Sequence, residues 1–91
     1  MNTQALSAHV LRAMAIAQVE GRRLDLETLV RELGVRRGDV RRVVSALHRE
    51  GYVDALRMRP TLIGFALGRS YAGELLPDLH RLRRPRLAAV A

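Results

Sequence analysis

The stretch LGVRRGDVRRVVSALHREGYV, Leu33 to Val53, constrains this chain more than any other. At about 100° per residue, Val43, Val44 and Leu47 fall within about 60° of Val40 on a helical wheel. Arg41, Ser45, Arg49 and Arg42 fall about 100–200° away from Val40 on the same wheel. Such a segment forms a helix with one side buried and the other cationic. We place it at 37–50, with Gly51 as its stop and Gly34-Val35-Arg36 as the turn that enters it.

The rest of the chain arranges itself around that helix. A first helix is expected over about 3–20, with Thr3 as N-cap, Gly21 as stop, and Leu6, Val10, Ala13, Met14 and Ala17 on one side. Arg22 to Leu24 reads as a short extended piece. LDLETLVRELGV then gives a short second helix with Asp25 as N-cap, Leu29, Val30 and Leu33 facing inward, and Gly34 at its end. Two turns are too few to persist without tertiary packing. After Gly51, Tyr52 to Met58 alternates as a strand, Arg59-Pro60 is the turn signal, and Thr61-Leu62-Ile63 is the expected returning strand. A last helix is expected from Phe65, with Leu67, Tyr71, Leu75, Leu79 and Leu82 along one side. Gly68 and Gly73 weaken that helix, at ~1 kcal/mol each in a helix interior, and Pro77 begins a separate turn. RRPRLAAVA reads as a basic, disordered tail.

Charge narrows the function classes. The 91 residues carry 16 basic side chains, all arginine, against nine acids, a formal +7. The first 34 residues hold four arginines and four acids, 35–50 hold five and two, and 51–91 hold seven and three. The excess thus begins with the quoted helix. A strongly basic small domain points to a polyanionic partner, nucleic acid ahead of membrane. Cysteine is absent, which excludes disulfides, thiolate metal sites and cysteine nucleophiles. No apolar run approaches the ~20 residues of a membrane span. His9 and Arg12 interrupt the one signal-like stretch, so a mature cytoplasmic chain is expected. His9, His48 and His80 are too scattered for a metal site, and Ser7, Ser45 and Ser70 have no adjacent base. No enzyme, metal or cofactor is expected. With only Tyr52, Phe65 and Tyr71 as aromatic residues, stacking on single strands is disfavoured against duplex DNA.

The order of elements, and the residues LETLVRELGVRRGDVRRVVSALHREGYV followed by TLIGFALG, resemble the winged helix-turn-helix superfamily of small MarR-like and PadR-like regulators. The likeness covers about Asp25 to Leu76. It implies a mainly α fold with a small β-hairpin wing, residues 1–82 forming one DNA-binding domain and 83–91 a tail. It also implies a sequence-specific, double-stranded DNA-binding transcription regulator, a repressor, with helix 37–50 in the major groove. Applied to this chain, Arg36, Arg37, Arg41 and Arg42 enter first, Ser45 follows, Arg49 meets phosphate, and Arg57 and Arg59 of the wing meet phosphate or minor groove. Where the superfamily usually starts this helix with Ser or Thr, the chain has Arg36 and Arg37, so the cap is expected from Asp39. Relatives of this architecture usually dimerise, here through the first helix and/or residues 65–82. The competing expectation is a winged-helix module that holds a protein of a transcription or DNA-maintenance complex. A third is non-specific architectural DNA binding.

Overall fold

The computed structural model describes Asn2 to Leu79. The expected boundary at residue 82, the basic tail, His80 and Leu82 lie outside the described residues. Among the described residues, four helices and one antiparallel hairpin follow in the order α1 (Thr3–Glu20), α2 (Leu26–Leu33), α3 (Arg37–Arg49), β1 (Val53–Asp54), β2 (Arg59–Pro60) and α4 (Leu62–Ser70). The chain is therefore mainly helical, with a small two-stranded sheet.

Local chemistry explains most of the helix ends. Asn2, not Thr3, caps α1: its side-chain oxygen accepts the Ala5 N–H at 3.1 Å. Asparagine is at least as good a cap as threonine, and with Asn2 in that place the helix spans the expected 3–20. Asp25 caps α2 as expected, accepting the Thr28 N–H at 2.8 Å. Gly21 and Gly34 terminate α1 and α2 at φ +69° and +66°, a left-handed conformation that costs any residue with a Cβ. At the start of α3, Arg36 occupies the cap position with no side-chain cap hydrogen bond. Asp39 does not serve as the cap either. Its carboxylate is taken by Arg42 at 2.7 Å.

α1 lies at the centre of the fold, against α3 on one side and α4 on another. That position explains why its buried face is wider than one stripe. Leu6, Val10, Met14 and Ala17 are buried as their spacing requires, but Ala5, Leu11 and Ala15 are buried too. Val40, Val43, Val44 and Leu47 anchor α3, and Leu29, Val35 and Val53 complete the same cluster. Each such side chain contributes ~1.5–3 kcal/mol on burial, set against the entropy of ordering the chain. Val30 and Leu33 are half-buried at its edge.

The hairpin differs from its expected form. Val53 pairs with Pro60 and Asp54 with Arg59, so Arg59-Pro60 is the returning strand and not the turn. The physical reason is Asp54. Its Oδ1 accepts the N–H groups of Leu56 at 3.1 Å and Arg57 at 3.3 Å, turning the chain after two strand residues. Met58 then closes the loop at φ +53°, a conformation uncommon outside glycine, with its side chain packed against the core.

Thr61-Leu62-Ile63 is not a strand. Thr61 caps α4, accepting the Gly64 N–H at 3.2 Å while its own hydroxyl donates to the Gly51 carbonyl at 2.7 Å. The last helix thus begins three residues before Phe65 and ends at Ser70. Gly68, expected to weaken this helix, is instead what lets α4 approach α1. A Cβ there would lie 2.9 Å from the Ala15 Cβ and would collide with the Leu11 carbonyl oxygen. The segment after α4 folds back along α1. Arg12 donates to the Glu74 carbonyl at 3.1 Å, and the His9 ring lies 2.6 Å from the Pro77 carbonyl oxygen. Leu79 is buried in the core while Leu75 is fully exposed, so the expected leucine stripe is split.

Candidate nucleic-acid interface

α3 presents its side chains as the wheel requires. Its apolar face is buried, and Arg41, Arg42, Ser45 and Arg49 are all exposed. Together with Gly38 they line one shallow groove of about 590 Å³. The glycine contributes no side chain, so its wall is backbone. Nothing lies within 4 Å of where a Cβ would stand at Gly38.

The arginines of this surface are not equivalent. Arg41, Arg49 and Arg36 pair with no carboxylate among the described residues. Arg42 is bridged to Asp39 one turn earlier, yet its side chain remains 75% exposed. Exposed pairs of this kind are worth ~0–1 kcal/mol, so Arg42 can be redirected to a stronger anion at small cost. Arg37 pairs with Glu27 of α2. It therefore joins the two helices across their turn and stands outside the groove, as does Arg36.

Arg57 and Arg59 stand apart from the α3 groove. They line a second cleft, of about 740 Å³, with Arg22 and Arg23 of the α1–α2 connection. The pair Arg22-Arg23 was not among the expected site residues. The available signal was its position directly after the Gly21 stop, in a chain whose hairpin itself carries two arginines. Arg22 is held by Glu20 at 2.7 Å and by Glu32 at 3.2 Å. The Glu20 hydrogen bond, with Glu32 beside it, raises the guanidinium pKa. Asp25 titrates below its usual range because the Thr28 backbone N–H binds its charged form.

His48 couples α3 to the hairpin. Its Nδ1 lies 3.2 Å from the Ala55 amide and 3.1 Å from the Val53 carbonyl oxygen. A bare Nδ1 accepts from Ala55, and a protonated one donates to Val53. Both choices tie the end of the basic helix to the strand that follows.

Tyr52, Phe65 and Tyr71 are half-buried, and Tyr52 and Tyr71 pack on the core. Among the described residues no helix is long and apolar enough to cross a membrane, and no group of three or more His, Cys, Asp or Glu could hold a metal ion. No protein-family model matches the chain, and no curated protein or solved structure is significantly similar to it.

Proposed function

We propose that this protein is a winged helix-turn-helix transcription regulator that binds double-stranded DNA in a sequence-specific way and represses by occupying its operator. The observation that carries the reading is the outer face of α3. Arg41, Arg42, Ser45 and Arg49 share one groove with backbone at Gly38, and among the described residues the only carboxylate bonded to them is Asp39. The order α2, turn, α3, hairpin, with the hairpin beside the C-terminal end of α3, supports the same reading.

In this mechanism α3 enters the major groove. A bidentate arginine on guanine O6 and N7 discriminates by ~1–3 kcal/mol against another base, and Arg41 and Arg42 are best placed to supply it. Gly38 lets the first turn of α3 approach a phosphate, whose charge suits a helix N-terminus. Arg49, late in the helix, meets backbone phosphate. Arg36 adds charge at the entry, and Arg37, tied to Glu27, keeps α2 and α3 in register. Arg57 and Arg59 contact phosphate or minor groove from the hairpin.

One helix this short reads few base pairs, so the protein acts as a homodimer on two half-sites about one helical turn apart. Among the described residues, Ile16 and Val19 on α1, and Leu75 after α4, are the exposed large apolar side chains that the two expected dimer regions leave for this contact.

Selection from random duplex DNA at about 0.15 M salt tests the reading. An enriched inverted repeat with half-sites about ten base pairs apart supports a dimeric regulator. Salt-sensitive binding without enrichment replaces it with an architectural coat, and no binding at all replaces it with a protein-holding module.

A further inference from the structure

The second cleft has a composition that DNA binding does not call for. Its inner wall is apolar. Met14, Ala17 and Leu24, core residues with little exposed surface, back it, and the apolar side chains within a ligand's reach are exposed Leu56 and half-buried Met58 of the hairpin. Around this wall stand four guanidinium groups, Arg22, Arg23, Arg57 and Arg59, with Asp25 as the one acid. Asp25 is already engaged by the Thr28 N–H at 2.8 Å as the cap of α2. Arg22 is fixed by Glu20 and Glu32, and Arg57 touches Asp54 at 3.5 Å. Arg23 and Arg59 pair with no carboxylate among the described residues. Two uncompensated cations therefore border one apolar wall, one from the α1–α2 connection and one from β2.

We infer that this cleft is a binding site for a small organic anion: a carboxylate, sulfonate or phosphate head held by Arg23 and Arg59, on an apolar body lying against Leu56 and Met58, over the edge of Leu24. The volume, about 740 Å³, lies within the ~300–1,000 Å³ of small-molecule pockets. Both halves of the ligand are needed. A bare inorganic anion leaves the apolar wall wet, and an uncharged apolar molecule leaves the arginines without a counter-charge. A planar guanidinium donates two parallel hydrogen bonds to an oxyanion, which sets the head group's orientation. On the DNA reading, the same ligand competes with phosphate for Arg59. The binding itself does not rest on that reading and is measured without DNA.

The experiment titrates the full chain with 8-anilino-1-naphthalenesulfonate, an anionic head on an apolar aromatic body, and follows its fluorescence. In parallel it uses N-phenyl-1-naphthylamine, which has a similar body and no charge. Expected is saturable binding of one sulfonate probe per chain, and weakening by about tenfold or more in R23A/R59A, as for loss of two charge-assisted hydrogen bonds. The uncharged probe binds about tenfold more weakly than the sulfonate for the same reason. R41A/R42A, on the α3 groove, leaves sulfonate binding unchanged. Melting curves confirm that each variant is folded; should the double variant unfold, R23Q and R59Q decide the matter singly. Equal weakening in both double variants would reduce the effect to overall charge and overturn the site. So would equal binding of the two probes, unaltered binding in R23A/R59A, or no saturable binding.

Discussion

Gly68→Ala is the substitution that most directly tests how α4 is seated. In an isolated helix, alanine in place of glycine stabilises by ~1 kcal/mol. Here the new Cβ would stand 2.9 Å from the Ala15 Cβ, whereas carbon atoms rest at about 3.5–4.0 Å. It would also overlap the Leu11 carbonyl oxygen, which belongs to the α1 backbone and cannot rotate out of the way. Relief requires α4 to lift by roughly half an ångström or more, loosening packing along the whole α1–α4 interface. Overpacking of this kind costs ~1–3 kcal/mol, and the rigid backbone partner puts the cost at the upper end. After the propensity gain, a net loss of about 1–2 kcal/mol remains. For a domain of this size that lowers Tm by about 5–15 °C, read by circular dichroism. Gly73→Ala, with nothing within 4 Å of its Cβ, serves as the control and shifts stability by less than about 0.5 kcal/mol. Ala15→Gly is expected to cost less in the Gly68→Ala background than alone, because it removes one of the overlaps. A Gly68→Ala protein more stable than the parent would mean that α4 does not approach α1 in this way.

Other consequences can be measured separately. Thr61→Ala removes the α4 cap and the bond to Gly51, for an expected loss of ~1–2 kcal/mol in urea unfolding. Asp25 has a depressed pKa in the folded chain. Its contribution is therefore present above the unfolded value, about 3.9, and is lost as pH falls through the lower folded value. Asp25→Asn should flatten the fall of Tm below about pH 4, and an unchanged profile would remove Asp25 from the acid response. On the proposed DNA reading, R49A lowers the slope of log K against log salt by about 0.9, as for one phosphate no longer neutralised. R41A/R42A abolishes sequence preference, and a variant that keeps its preference would exclude both residues as base readers. Gly38→Ala stabilises the fold by up to ~1 kcal/mol yet weakens DNA binding, because the added methyl stands in the groove; unchanged binding would argue against a phosphate there.

Features that depend only on near neighbours along the chain can be read from the residues in order. α3 and its two faces were legible because Val40, Val43, Val44 and Leu47 recur at the helical period, so burial of one side forces Arg41, Arg42, Ser45 and Arg49 outward. The Asp25 cap and the Gly21 and Gly34 stops act through bonds and dihedrals within a few residues, and they are where the sequence placed them. Tertiary structure alone decided the rest. The Leu11 and Ala15 side of α1 is buried because α4 covers it. Gly68 suits its helical position because Leu11 and Ala15 occupy the space a side chain would need. Thr61 became a cap and not a strand residue because Gly51, ten positions earlier, offers its hydroxyl an acceptor at 2.7 Å. The same holds for the arginines. Arg22 and Arg23 are far from Arg57 and Arg59 in sequence, and only the packing of the hairpin toward the end of α1 sets all four around one cleft. Local periodicity can assign a residue to a face; which faces meet depends on long-range packing that a linear pattern does not encode.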